Sequence, residues 1–363
     1  MLDYPFEDVP APGEVQLVEE GVYWLRMPLP MALDHINLYL LEDVDGWWII
    51  DTGMAVGETE ALWEKVFAQH LGGKPVKAVL ATHWHPDHTG MAGWLCDRWR
   101  VPFYMTQGEY MTGLVYTRAD THHFGWTNEQ HQIRMGRGQQ DVEAARASMD
   151  GIQRITRPLP TSYRRLEEGD RLQINGRRWQ VIVGHGHSPE HACLYSESHN
   201  VLISGDQVIP RITSNISVSG IEPDGNPLKA WMATLERFLE SLPGDALVLP
   251  AHNTPFYGLH HRLRYLTEHH EEHLIALEEA CGERACSAVD LLPVLFEREL
   301  DDQHVGLALG ECVAHLNYLM HRGQLERTVD AAHCYRYRSV DETLPMRLRK
   351  RKHRAEKAGP MRV

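Results

Sequence analysis

The sequence predicts an α/β protein made of two similar layered halves, followed by a small helical module. Short apolar segments typical of buried strands alternate with amphipathic helical segments through most of the chain. The second half resembles the first, because several strands in both halves end in histidine or aspartate. The final part of the chain has helices and one small predicted hairpin. We therefore expect a pair of similar α/β halves that share one functional site between two sheets.

The composition is that of a globular protein, with 363 residues of which 43% are hydrophobic and 24% charged. No apolar run reaches the roughly 18–20 residues of a membrane span, and the acidic N-terminus lacks the pattern of a secretory signal. The six scattered cysteines form neither a zinc knuckle nor a disulfide framework. We therefore expect a cytoplasmic protein with reduced thiols and no membrane segment. The net charge of −14 argues against a general nucleic-acid-binding surface.

The first half is predicted to begin as antiparallel strands and to continue as alternating helices and strands. After an irregular, Pro-rich lead-in, strands are predicted at 15–18, 22–27, 36–41, 47–50, 76–80 and 101–105, with a helix at 58–69. The strand at 47–50 ends at Asp51-Thr52-Gly53. An acid at the carboxyl end of a buried strand either faces a site or caps a turn, and both interpretations stay open at this point.

One loop of the first half carries the strongest chemical signal. Four ligand residues lie within six consecutive positions, after a predicted buried strand: His83, His85, Asp87 and His88. His83 and His85 would share a face of an extended segment, and a turn at Pro86 would swing the other two another way. Two ligand sets that point apart suit two metal ions. Imidazole with carboxylate suits zinc first, with iron or manganese as alternatives.

A polar helical segment interrupts the strands between about residues 106 and 160, with helical spacing at 107–116, 128–135 and 139–155. Insertions beside active sites commonly form lids or substrate walls. We therefore predict that this insertion supplies an apolar wall, through residues such as Tyr110, Met111, Tyr116, Phe124 and Trp126.

The second half places further ligands at strand ends. A hairpin is predicted at 171–174 and 178–183 around Asn175-Gly176, with strands at 192–195, 201–206 and 246–250 and a helix at 228–239. The ends of three of these strands carry His187, Asp206 and His252. Together with the loop that carries His83, His85, Asp87 and His88, called the histidine loop below, they provide about three ligands for each of two ions and a carboxylate to bridge them.

The chain after about residue 260 carries no ligand at a strand end. Helices are predicted at 260–281, 289–297 and 306–321, and a hairpin at 324–327 and 334–338, which suggests a winged-helix module. The basic run 347–354 is typical of a solvated tail, and binding to a polyanion is the alternative.

The motif Thr-His-x-His-x-Asp-His at Thr82–His88 resembles that of the metallo-β-lactamase-fold hydrolase superfamily. The resemblance extends over about residues 15–260 and includes Asp51-Thr52-Gly53, His187 in His-Ser-Pro-Glu-His, Asp206 in Ser-Gly-Asp and His252 in Leu-Pro-Ala-His. It implies an α/β fold of the αβ/βα sandwich type, with residues 1–260 as this domain, 261–345 as a winged-helix-like domain and 346–363 as a basic tail. The C-terminal module resembles that of the glyoxalase-II-like and lactamase-beta-2-like subgroup.

The resemblance also implies the role of each ligand. His83, His85 and His187 would hold one metal, Asp87, His88 and His252 the other, and Asp206 would bridge them. His187 is chosen over His185 and His191 because it matches the motif position.

Further residues are predicted around the ligands. Asp51 would hold a ligand histidine in one tautomer, and His191 would support the site from behind or cap the following strand. Arg211 and Asn215 are weaker candidates for binding a polar group of the substrate.

The resemblance implies an enzyme with two divalent metal ions, a zinc-dependent metallohydrolase. A hydroxide between the metals would attack a small thioester, ester or lactone, with Asp87 orienting the water or accepting its proton. One alternative is an endoribonuclease or phosphodiesterase of the lactamase-beta-2-like type, and a weaker one is a mononuclear iron persulfide dioxygenase. The expected partner is a small-molecule substrate, nucleic acid is the minority alternative, and a dimer is plausible.

Overall fold

A computed structural model describes residues 1–347 apart from Ala32, Ala119, Asp120, 297–299, Asp301 and Pro345, with backbone alone at 121–124, 144–150, 302 and 303. The basic tail predicted at 346–363 therefore lies outside the described residues except for Met346 and Arg347. The chain divides into two compact units. The first consists of Met1–Thr121, Ser148–Ser214 and Ala233–Leu266. The second consists of His122–Ala147, Asn215–Met232 and the described residues from Thr267 onward.

The first unit contains a seven-stranded and a five-stranded sheet. The seven strands are neighbours in chain order: β1 (Val15–Glu19), β2 (Val22–Pro28), β3 (His35–Asp43), β4 (Gly46–Ile50), β5 (Val76–Leu80), β6 (Phe103–Thr106) and β7 (Arg164–Leu166). Pairing is antiparallel from β1 to β4 and parallel from β4 to β7.

The second sheet has the strand order β12-β11-β10-β9-β8. Its strands are β8 (Arg171–Ile174), β9 (Arg177–Gly184), β10 (His191–Ser196), β11 (Val201–Gly205) and β12 (Leu247–Pro250). Pairing is antiparallel except between β11 and β12.

The helices connect these strands and form most of the C-terminal part. They are α1 (Thr59–Gln69), α2 (Pro86–Thr89), α3 (Ala92–Trp99), α4 (Gln107–Arg118), α5 (Thr121–Met135), α6 (Gln139–Ile152), α7 (Pro227–Ser241), α8 (Leu259–Glu283), α9 (Ala288–Leu295) and α10 (Asp302–His321). A hairpin of β13 (Leu325–Val329) and β14 (Tyr335–Ser339) follows α10. Helices α8 to α10 and this hairpin occupy most of the segment predicted to be a winged-helix-like domain. No described helix is both long and apolar enough to span a membrane.

Alternating side chains of the first sheet enter two different cores, which explains why its strands are apolar on both faces. Leu40, Ile49 and Val79 pack in a core with residues of α1 and α3. Their chain neighbours Leu41, Ile50 and Leu80 instead pack against strands of the second sheet. This arrangement, with helices outside a pair of facing sheets, confirms the predicted αβ/βα sandwich.

Two local predictions are wrong. Strand β7 is absent from the prediction, because Arg-Arg-Leu is too short and too charged to show strand periodicity. Helix α5 begins at Thr121 and not at 128, because the segment of threonine, histidine and glycine before 128 has low helix propensity. The histidine loop lies between a strand and a helix, as expected, and the chain turns at Pro86 so that Asp87 and His88 lie in the short helix α2.

The domain boundaries expected from the sequence remain a prediction. Most of α5 and α6 belongs to the second unit, together with the C-terminal helices. The role of the insertion as a lid or a wall also remains a prediction.

Candidate metal centre

The seven predicted ligands come together in the first unit, each on a segment that follows a strand. The histidine loop follows β5, and His187, Asp206 and His252 follow β9, β11 and β12. Two groups have ligand atoms that all lie within 4.8 Å of one another. One group consists of His83, His85, His187 and Asp206, and the other of Asp87, His88 and His252.

The first group contains three imidazole rings whose nitrogens lie close together. The Nε2 atom of His83 lies 2.8 Å from Nδ1 of His85 and 3.2 Å from Nε2 of His187. Burial lowers the pKa of His83 well below its usual value and that of His85 to about 3. These two rings are therefore neutral, so they offer lone pairs to an electrophile rather than an additional positive charge.

In the second group, His88 and His252 lie near two carboxylates, those of Asp87 and Asp206. The Oδ2 atom of Asp87 lies 3.7 Å from Nε2 of His88 and 3.5 Å from Nε2 of His252. Burial favours the neutral form of His252, but the nearby negative charges of Asp206 and Asp87 outweigh it and raise its pKa to about 10. The carboxylates thus create a strongly negative position that attracts a cation.

Asp206 faces both groups. Its Oδ2 atom lies 3.3 Å from Nε2 of His187 and 3.5 Å from Nε2 of His88. Its Oδ1 atom lies 3.4 Å from Nε2 of His252. Burial opposes the ionised form, but the charges of His252 and His88 hold the pKa of Asp206 well below its usual range. One carboxylate is therefore positioned to contribute to two adjacent sites.

The donor set fits divalent metal ions. Ligand atoms at about 2.0–2.1 Å from a tetrahedral zinc ion are separated by about 3.3 Å, close to the distances between Asp206 and the imidazoles. Moreover, the Nε2 atom of His88 and the Oδ1 atom of Asp206 are buried without a hydrogen-bond partner. An unsatisfied buried polar atom is costly, and a metal ion would satisfy both atoms.

Surrounding groups direct the ligand nitrogens towards the centre. Asp51 lies behind His88, with its Oδ2 atom 2.8 Å from Nδ1 of that ring. The carbonyl oxygen of His35 lies 3.0 Å from Nδ1 of His252. A proton on Nδ1 in each case leaves Nε2 free to face the centre.

His191 supports Asp206 from behind rather than joining the ligands. Its Nε2 atom accepts a hydrogen bond of 3.1 Å from the backbone N–H of Asp206. The ring is buried and lies against Gly205, where an added Cβ would approach its Nε2 atom to 2.6 Å. Gly205 also has φ of +49°, so a larger residue there would be strained and would displace His191.

The structure contains supporting residues that the sequence did not indicate. The buried carboxylate of Glu109 in α4 accepts hydrogen bonds from the backbone N–H groups of Trp84, at 3.0 Å, and Glu190, at 2.6 Å. It therefore joins the loop with His83 to the loop with His187. Burial raises the pKa of Glu109 to about 7. One acid among many polar residues of a helical segment carries no distinguishing signal, and neither does the carbonyl of His35.

Three other candidates lie elsewhere or have other partners. The Nδ1 atom of His185 lies 2.6 Å from the carbonyl oxygen of Pro189. Arg211 is exposed and lies over the ring of Tyr4. Asn215 belongs to the second unit, where its side-chain amide donates to Glu311 at 3.0 Å.

The residues predicted to form the apolar wall lie in different surroundings. Tyr110 is in the core, where it stacks on Tyr163, while Tyr116 stacks on Trp84 beside His85. Met111 and Trp126 are exposed, and the side chain of Phe124 lies outside the described residues.

Two models of known protein families match different parts of the chain. Residues 32–252 match the model of the metallo-beta-lactamase superfamily. Residues 274–340 match that of the metallo-beta-lactamase-like C-terminal domain. The crystal structure of a beta-lactamase domain protein from Burkholderia ambifaria is similar, with 43% identity and a TM-score of 0.85. The match covers 93% of this chain and 98% of that one.

Curated relatives are more distant. The chain is 23% identical to the probable metallo-hydrolase YqjP of Bacillus subtilis, over 84% of this chain and 93% of that protein. It is 23% identical to an atrochrysone carboxyl ACP thioesterase of Aspergillus fumigatus, over 64% of this chain. The chain spans 41% of the length of that thioesterase and 66% of the length of lactamase-like proteins from other fungi.

Proposed function

The chain belongs to the metallo-beta-lactamase superfamily, and from that membership we propose that it is a hydrolase that uses two zinc ions to cleave a small thioester, ester or lactone. The observation that carries the proposal is the position of Asp206 between two groups of ligands. A single ion would need only one of these groups, whereas a shared carboxylate between them suits a pair of ions.

The ligands divide between the two ions as the resemblance implies. His83, His85 and His187 would hold one zinc ion, and Asp206 would contribute to both. Asp87, His88 and His252 would hold the second. When bound, two such ions supply Lewis acidity, which polarises a carbonyl group and lowers the pKa of a water molecule towards neutrality.

The residues of the chain then have distinct tasks. Asp51 and the carbonyl of His35 hold His88 and His252 in the orientation that presents Nε2. Asp87 is the more accessible of the two carboxylates, with 17% of its side chain exposed against 9% for Asp206. It is therefore the group best placed to orient an attacking water and to accept its proton.

The preference for an acyl substrate rests on the surroundings of the centre. The rings of Trp84 and Tyr116 stack 4.2 Å apart and nearly parallel, and Trp84 lies 4.7 Å from the ring of His85. Two half-buried aromatic side chains beside a ligand suit an apolar acyl group. The similarity to a thioesterase supports the same class of substrate.

The test uses the full chain loaded with zinc and a panel of a p-nitrophenyl ester, an acyl thioester, a lactone and single-stranded RNA. We expect hydrolysis of at least one acyl substrate. Asp206→Asn should reduce it by more than about 100-fold, because loss of a shared ligand exceeds the effect of losing an outer partner. The matched control is Asp245→Asn, an exposed aspartate of the same unit, which should keep the activity.

Two outcomes would contradict the proposal. Hydrolysis of RNA alone, weakening with salt, would indicate the nuclease instead. Oxygen consumption by an iron-loaded chain that hydrolyses no acyl substrate would indicate the oxygenase.

A further inference from the structure

A cluster of four histidines lies within the second unit. His269, His270 and His273 belong to α8, and His315 belongs to α10. The ring centroids of His269 and His273 are 4.1 Å apart, because residues four positions apart share a face of a helix. The ring of His315 is 5.2 Å from that of His270 and 5.6 Å from that of His273. Two helices thus bring four imidazoles to one place.

The spacing of these rings is close to that of the three imidazoles in the metal centre. There, His83, His85 and His187 have centroids 4.5–4.9 Å apart. Imidazoles around a tetrahedral ion at about 2.0–2.1 Å have centroids about 5 Å apart. In the histidine cluster of the second unit, the ring of His315 lies at about this spacing from the rings of His270 and His273, at 5.2 and 5.6 Å.

Hydrogen bonds leave part of the cluster unsatisfied. The Nδ1 atom of His315 lies 2.8 Å from the carbonyl oxygen of Glu311, so it donates its proton there, and Nε2 of the neutral ring is an acceptor. His270 donates from Nδ1 to that acceptor over 3.1 Å. The Nε2 atom of His270 is then a buried lone pair without a partner.

A second orphaned nitrogen lies in the same cluster. The Nδ1 atom of His273 is also buried without a hydrogen-bond partner. The rings of His270 and His315 are themselves fully buried, so water does not reach them. Buried ring nitrogens of this kind are costly unless a partner satisfies them.

We propose that His269, His270, His273 and His315 bind one zinc ion that joins α8 to α10. Among the described residues, only the two groups of the metal centre already hold three ligand atoms within 4.8 Å. The four rings must therefore turn about their Cβ–Cγ bonds for the nitrogens to converge. That rotation is soft in histidine and leaves the ring centroids nearly in place.

Such a site would be structural rather than catalytic. Four protein ligands fill the coordination shell of zinc and leave no position for water or substrate. The bond between His270 and His315 would be exchanged for bonds to the ion, and both orphaned nitrogens would be satisfied. The proposal is independent of the hydrolase function, because it concerns the second unit and predicts no effect on the chemistry.

The test measures zinc content of the full chain after chelation and reloading, by elemental analysis. We expect His269→Gln and His273→Gln each to hold about one zinc ion fewer than the original chain. Both side chains are partly exposed, so the variants should fold, which far-UV circular dichroism checks. The matched control is His321→Gln, an exposed histidine at the end of α10, which should keep the full zinc content.

A second measurement separates this site from the metal centre. A chain with His187→Gln and Asp206→Asn should still hold one zinc ion, and adding His273→Gln should remove it. Zinc should also raise the melting temperature of the chain with two substitutions, but not of the chain with three. Equal zinc content in His273→Gln and the original chain, or no zinc in the chain with two substitutions, would overturn the proposal.

Discussion

Asp51 combines an unusual backbone conformation with a position behind the metal centre. Its φ of +62° lies in the left-handed region, which aspartate tolerates better than most residues. Its carboxylate accepts hydrogen bonds from the backbone N–H of Thr82, at 2.7 Å, and faces Nδ1 of His88. The strained conformation therefore serves to hold a ligand histidine.

Asp51→Asn tests this role, because asparagine also tolerates the left-handed region and keeps one acceptor oxygen. Loss of the charge behind His88 should weaken zinc binding by about 10–100-fold without unfolding the chain. The measurement is competition for zinc against a chelator of known affinity, with Asp245→Asn as the control. An affinity equal to that of the original chain would show that Asp51 only shapes the turn.

At the level of elements, hydrogen bonds between loops hold the ligands in place. Glu109 of α4 joins the histidine loop to the loop after β9, and Glu190 in that second loop accepts from the backbone N–H of Gly108 at 2.7 Å. These bonds connect segments that are far apart in sequence. The position of one ligand loop thus depends on the other.

The second unit contains a capping box at the start of α9, which allows the stability of a single helix end to be tested. The side chain of Ser287 accepts from the backbone N–H of Asp290, and Asp290 accepts from that of Ser287. Hydrogen bonds from Ser287, with the nearby charge of Arg336, lower the pKa of Asp290 below its usual value. The ionised form therefore stabilises the folded state.

Asp290→Asn should reduce the free energy of unfolding by about 1 kcal/mol at pH 7. Because the pKa is lower in the folded state, the contribution of Asp290 is present above its ordinary pKa of 3.8 and is lost as the pH falls further. The difference between variant and original chain should therefore shrink below about pH 4.

The measurement is urea unfolding between pH 7 and pH 3, with a chelator present so that metal binding does not vary. Glu272→Gln, an exposed residue of α8, is the control and should show no such trend. A difference that stays constant over this range would contradict the role assigned to the charge.

At the level of the whole molecule, metal binding and folding should be linked. The centre collects histidines and carboxylates from four segments of the first unit, and the side chains of His83 and His88 are fully buried. The unfolded chain does not bring these segments together, so an ion that binds the folded state stabilises it.

Removal of zinc with a chelator should therefore lower the melting temperature, and readdition should restore it. At a free zinc concentration of about 100 times Kd, the stabilisation would be about 2.7 kcal/mol. Calorimetry of the original chain and of Asp206→Asn measures the effect, which should be smaller in the variant. A melting temperature that does not respond to the chelator would argue that the centre binds no metal.

The sequence by itself determined the fold class and the segments that carry the ligands. Strand periodicity is local, and the residue types that follow Leu80, Gly184, Gly205 and Pro250 can be read from the chain. The histidine loop is the clearest case, since its four ligand residues are neighbours in sequence. Family resemblance then supplied the αβ/βα sandwich, which the structure confirms.

The tertiary structure decided which of these groups meet and what holds them. Only folding brings Asp206 against both ligand groups, Glu109 between two loops and the carbonyl of His35 behind His252. It also places Asn215 with Glu311 in the second unit, and it brings His315 of α10 against His270 and His273 of α8, which carry no motif. These contacts join residues far apart in the chain, and their energy depends on burial and geometry that a local pattern of residues does not encode.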